Sequence, residues 1–202
     1  KGGTSFLNDS TNISSELFSV DENQLYFSDF NIEINKKINK SIMLNVVLAR
    51  QKYNKDIMEV KTLGEYGVLN SSIGIIDLSY KIKKGHTIRI ELQELLSKQD
   101  EDAKKHEDGD WTMILAEYTI SPNWFFSLQD MYNHNLNPNP NLHYVGCNDD
   151  PIHYVNASIG YIKGANRFEI GYGKKRAGIF CVGGVCKEVP SSNGLNLNIS
   201  SS

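Results

Sequence analysis

The residues of this 202-residue chain that could do chemistry are three cysteines, five histidines and a scatter of carboxylates. Cys181 and Cys186 frame the run Cys181-Val182-Gly183-Gly184-Val185-Cys186, a palindrome with a glycine pair at its centre. Gly-Gly accepts the positive φ of a two-residue hairpin turn, which brings the flanking cysteines within disulfide reach. In an exported protein this predicts a Cys181–Cys186 disulfide that staples a loop. Four intervening residues is not the two-residue spacing of a zinc or redox motif. Cys147 is left over, either free or paired with a segment outside this sequence.

Residues 132–154 hold His134, His143, Cys147, Asp149, Asp150 and His153, all metal-ligand types. Their irregular spacing, and the repeat Asn137-Pro138-Asn139-Pro140, fit an ordinary surface loop better than a metal centre. The acidic stretch Asp100-Glu101-Asp102 with Glu107-Asp108-Gly109-Asp110 lacks EF-hand spacing and reads as solvated, with cation bridging to lipopolysaccharide as the alternative. There is no Gly-x-Ser-x-Gly, no phosphate-cradling loop and no His-Glu-x-x-His, so neither an enzyme nor a cofactor is expected. A net charge of −3, without a basic stripe interleaved with aromatics, argues against nucleic acid.

The remaining charges fall at every second position of short runs. Residues 87–93 place Ile88, Ile90 and Leu92 against Arg89, Glu91 and Gln93. This period of two defines a strand with one apolar and one polar face. The same alternation marks 25–35, 41–51, 76–82, 124–129, 152–162, 167–173 and 195–200. The run 111–120 is apolar on both faces, and a bulge is expected there. That makes nine strands, with a weak tenth candidate within residues 4–20, where Ile13, Ser15, Leu17 and Ser19 alternate.

The connectors sort by length. They are short at 37–39, 83–86, 121–123 and 163–166, and long at 54–70, 97–110, 133–151 and 174–193. Tight turns on one side and long loops on the other are what a transmembrane β-barrel needs. A soluble sandwich has no reason to sort its turns. The expected fold is all-β: an antiparallel up-and-down meander forming part of an outer-membrane barrel over 25–202, with 1–24 as a long loop or weak first strand. The polar faces would then line the lumen with Asp29, Glu33, Asp77, Lys81, Arg89, Glu91, Arg167 and Glu169. Charges on a lumen wall pair with one another more readily than they act as acid and base. Tyr26, Tyr80, Trp124, Tyr161 and Phe168 are expected beside the short turns, as an interfacial girdle. No apolar run reaches the ~18–20 residues of a membrane helix. The chain begins Lys1-Gly2-Gly3 without a signal-peptide pattern. The required export signal, and the even strand number of bacterial barrels, point to a C-terminal part of a longer protein.

Several stretches carry a resemblance: Ser28-Asp29-Phe30-Asn31-Ile32-Glu33-Ile34, Arg89-Ile90-Glu91-Leu92-Gln93, Lys98-Gln99-Asp100, Asp110-Trp111 and Ser121-Pro122-Asn123-Trp124-Phe125-Phe126-Ser127. The tail adds Gly171-Tyr172-Gly173-Lys174-Lys175-Arg176, the Cys181–Cys186 run, Val189-Pro190 and Ser192-Asn193-Gly194. These resemble a family of uncharacterised outer-membrane barrel proteins of Gram-negative, Bacteroidetes-type anaerobes, over residues 24–202. The family pattern ends in an aromatic, which this chain, ending at Ser202, lacks. The resemblance implies the fold and an outer-membrane location, with lipid and lipopolysaccharide as partners. It brings no activity, substrate or catalytic residue. The expected function is a non-enzymatic barrel, either a passive channel or a surface scaffold. The alternative is a secreted soluble β-sandwich binding module.

Overall fold

The computed structural model describes residues 2–6, 25–59, 65–99, 103–104, 109–134 and 152–201. Ten strands form one antiparallel sheet. They are β1 (Gly2–Phe6), β2 (Leu25–Lys37), β3 (Ile42–Asn54), β4 (Val68–Lys83), β5 (His86–Gln99), β6 (Trp111–Ile120), β7 (Trp124–Asn133), β8 (Ile152–Lys163), β9 (Asn166–Lys175) and β12 (Ser192–Ser201). The short strands β10 (Gly178–Val182) and β11 (Val185–Val189) pair separately as a hairpin. The sheet is a meander in chain order, with β1 and β12 as its two edges. No pairing closes it into a barrel among the described residues. The nine strands from Leu25 onward match the expectation. The tenth lies at Gly2–Phe6 rather than at residues 13–19, which fall outside the described residues.

Side-chain period fixes which face each residue takes, and register then carries that face from strand to strand. One row starts at Lys36 on β2 and pairs in turn with Leu44, Leu78, Ile90, Ala116, Leu128, Ala157, Tyr172 and Leu195. Above and below it on the same face lie Ile34, Ile76, Leu92, Ile114, Phe126, Ile159, Ile170 and Leu197, all exposed. The opposite face is polar and largely buried. It carries Glu91, Glu117, Ser127, Gln129, Asn156, Ser158, Arg167 and Glu169. Neither face is interrupted at β6, whose register with β5 and β7 is regular from end to end, so the expected bulge is absent. The ambiguity of β6 has a simple cause. Met113 and Leu115 are buried on the polar face while Ile114 and Ala116 lie on the apolar one.

The long connector after β3 is ordered by a four-residue helix, α1 (Lys55–Met58), capped by the Asn54 side chain, which accepts the Ile57 amide at 3.3 Å. The Asp56 carboxylate accepts the amides of Tyr66 and Gly67 at 2.9 and 3.1 Å, tying the far end of that connector to the helix. The long connector 174–193 contains the expected Gly-Gly hairpin turn, built as the β10–β11 hairpin and laid against the polar face of the sheet. Gly183 and Gly184 form its turn at φ 57° and 76°, both in the region glycine reaches without strain. Cys181 faces Cys186 across it in a disulfide.

Candidate functional site

The polar face has its densest chemistry where the hairpin turn docks. Arg167, near the short-turn end of β9, reaches over the turn. One guanidinium nitrogen donates to the Gly183 carbonyl at 3.0 Å and the other to the Val182 carbonyl at 2.8 Å. The second nitrogen also meets Glu169 Oε2 at 3.3 Å. From the other side the Gly183 amide donates to Glu117 Oε2 at 2.7 Å. The turn is thus clamped between a cation that takes its carbonyls and a carboxylate that takes its amide. A planar guanidinium forms this fork, and an ammonium does not.

Beneath the clamp is a small apolar core of Phe125, Phe180 and Val182, with Ile162 and Val189 packed around it. The Arg167 guanidinium carbon sits 4.1 Å from the Phe125 ring centroid, and the ring in turn lies against Gly160. The cation therefore has an aromatic face, two carbonyls and a carboxylate around it, which suits a side chain only 7 % exposed. Glu169, 3 % exposed, is further shared with Lys187 of β11 at 3.7 Å and Asn198 of β12 at 3.5 Å. A second network lies on β4 and β5, where Arg89 is bonded to Asp77 at 2.7 Å and also to Glu91.

The eight residues expected to line a lumen all lie on this polar face, and the structure groups them unequally. Asp77, Arg89 and Glu91 form one network; Arg167 and Glu169 belong to the clamp. Glu33 accepts from Asn35 and Asn45 at 2.7 and 2.9 Å, and Asp29 accepts from Asn31 at 3.1 Å. Lys81 is exposed near a short turn. Missed in the sequence were Glu117, Phe125 and Gly160. Their signal was a bulky ring and two glycines, Gly160 and Gly171, on the polar face of adjacent strands.

Of the five aromatics expected beside short turns, four lie there. Trp124 packs on Tyr161 at 4.7 Å and stacks on Phe126 at 6.5 Å, and Tyr118 continues the row to His86. Tyr80 and Phe168 lie exposed near short turns. Tyr26 is a correction. It stands at the start of β2, the end remote from the turn after Lys37.

The histidines of the long loop divide. His134 bonds Thr112 and Glu94 at 3.0 and 3.2 Å, and His153 pairs with Asp130 at 2.7 Å. Cys147, His143, Asp149, Asp150 and the acids at 100–102 and 107–108 lie outside the described residues. Asp110 accepts the Ser97 amide at 2.8 Å. Among the described residues no group of three or more His, Cys, Asp or Glu could hold a metal. The buried hydroxyls of Ser127 and Ser158 bond each other at 2.7 Å rather than a base. The arrangement of the clamp holds a hairpin in place, while the Thr112 hydroxyl beside His134 donates to Glu94 at 2.6 Å.

No curated protein and no solved structure matches the chain significantly. One family model, described as a family of unknown function (DUF6029), matches residues 3–202. The chain belongs to that family.

Proposed function

We propose that this protein is a non-enzymatic outer-membrane β-barrel protein whose sheet forms the wall and whose β10–β11 hairpin occupies the interior, acting as a surface scaffold rather than an open channel. The observation that carries this reading is the unbroken apolar face. Large side chains from Phe30 to Ile199 stand exposed on one side of the sheet, and no described element covers them. Soluble monomers rarely leave more than a few hundred Å² of contiguous apolar surface open to water.

Two further features fit a hydrocarbon slab. The apolar window slides along the strands. The row of Lys36 leaves it at the short-turn end of β2, yet the same row enters it at the long-loop end of β12, as Leu195. A slab cutting tilted strands produces such a drift. The aromatic row from His86 to Tyr161 lies at one border of the window, at headgroup level. The secreted β-sandwich module is the second reading. It needs a layer over the apolar face, whereas the described second layer, the hairpin, packs on the polar one.

Fractionation of cells making the full-length protein tests the reading. It should sediment with outer membranes and need detergent for release. Recovery as a soluble periplasmic or secreted monomer would overturn it.

A further inference from the structure

Lys174, Lys175 and Arg176 follow one another at the long-loop end of β9, and each lies over an aromatic ring. Lys174 Nζ is 4.7 Å from the Tyr154 centroid and Lys175 Nζ 4.3 Å from that of Phe180. The Arg176 guanidinium carbon is 4.2 Å from that of Trp111. Among the described residues none of the three has a carboxylate within 4.0 Å, in contrast to Arg89 and Arg167 lower on the same face. These three positive charges, fixed by ring stacking, border a cavity of about 230 Å³ lined also by Gln129, Met131 and Phe180.

The cavity wall is polar and incompletely bonded. Gln129, 7 % exposed, has no partner for Oε1. A buried acceptor left unpaired is costly, so Gln129 Oε1 at the cavity wall is poised to accept from a partner's hydroxyl. The cations call for an acidic group on the same partner. At roughly 30 Å³ per water the cavity holds about seven or eight waters, the size of one sugar and too small for an oligomer.

We propose that this cavity binds a small hydroxylated anion, a sugar phosphate or sugar acid, with its acidic group on Lys174, Lys175 and Arg176 and a hydroxyl donating to Gln129 Oε1. Preorganised cations lose little freedom on binding, which favours the complex. The polar face lines the cavity with Gln129, Met131 and Tyr154 and the hairpin lines it with Ile179 and Phe180.

Calorimetric titration of the purified full chain, in detergent or buffer as its solubility requires, tests this with glucose 6-phosphate, glucuronate, inorganic phosphate and glucose. Saturable binding is expected for glucose 6-phosphate or glucuronate, the stronger of the two identifying the acidic group. Phosphate should bind at least tenfold more weakly, and glucose not at all. The double substitution Lys174→Gln/Arg176→Gln should weaken the sugar anion at least tenfold, and Gln129→Leu should weaken it while leaving phosphate unchanged. No saturable binding of any probe would overturn the proposal. So would phosphate binding as tightly as the sugar anions, or full affinity in the double variant with an unchanged circular dichroism spectrum.

Discussion

The ring of Phe125 fills the space that a side chain on Gly160 would need, since a Cβ there would lie 1.9 Å from Cζ of the ring. The two residues are neighbours across the β7–β8 ladder, and their contact supports the whole clamp. The ring rests on Gly160, Arg167 on the ring, and the hairpin turn on Arg167. Gly160→Ala should therefore displace the ring and destabilise the protein by about 1–3 kcal/mol, the usual cost of overpacking. Gly74→Ala is the control, because there the nearest atom to a new Cβ is Leu48 Cδ2 at 3.9 Å. Urea unfolding followed by tryptophan fluorescence should separate the two variants, and equal stability would remove the ring from the account.

Removing the cation should release the hairpin. Arg167→Ala strips two carbonyls and leaves Glu169, nearly fully buried, with only Lys187 at 3.7 Å to offset its charge. Breaking a buried pair in this way costs about 3–5 kcal/mol. Limited proteolysis with trypsin should then cut at Lys187 and should spare it in the parent. Arg167→Lys should not restore protection, because an ammonium lacks the guanidinium fork.

The hairpin also separates legible from illegible in the sequence. Its turn could be read locally, from Gly183-Gly184 between two cysteines, and Cys181 and Cys186 are joined in the structure. Its destination could not, because Glu117 lies 66 residues away from the Gly183 amide it accepts. Nothing in a period-of-two pattern encodes a contact of that range. The strands themselves were legible wherever one face is apolar and the other polar, as along Arg89-Ile90-Glu91-Leu92. They blurred at Met113 and Leu115, where the polar face of β6 buries apolar side chains. Tyr26 was assigned by its alternation while its end of the strand was misjudged. Nor could the sequence show that Lys174 and Arg176 lie over Tyr154 and Trp111, rings supplied by other strands.

The staple has a modest expected energy. Cys181→Ser/Cys186→Ser opens a loop of a few residues, worth about 2 kcal/mol in the chain-entropy account. The clamp should therefore hold the hairpin after reduction, and trypsin protection of Lys187 should largely persist. Non-reducing peptide mass mapping should recover Cys181 linked to Cys186. A Cys147 linkage to either one would contradict the pairing in the structure.

The proposed barrel, with the hairpin in its interior, makes a conductance prediction. Among the eight lining candidates the acids Asp29, Glu33, Asp77, Glu91 and Glu169 outnumber the bases Lys81, Arg89 and Arg167, five to three. The parent protein in planar bilayers should conduct weakly. A variant with residues 178–189 replaced by a short Gly-Ser linker should open an ohmic pore with mild cation preference, reduced by Glu91→Gln. A large ohmic conductance in the parent would favour a channel over a scaffold.

The central claim is that the apolar face meets lipid, and the chain's two tryptophans report on it from opposite sides. Trp124 stands exposed on the apolar face, and Trp111 lies on the polar face under Arg176. With the protein reconstituted in vesicles containing acyl-chain-brominated lipid, quenching is measured in single-tryptophan variants. Trp124 in Trp111→Phe should be strongly quenched and Trp111 in Trp124→Phe much less so. Leu78→Arg, on the apolar face, should cost about 2–4 kcal/mol more than Ser79→Arg beside it if that face meets lipid. Equal quenching of both tryptophans, or none of Trp124, would contradict the assignment of this face to the membrane.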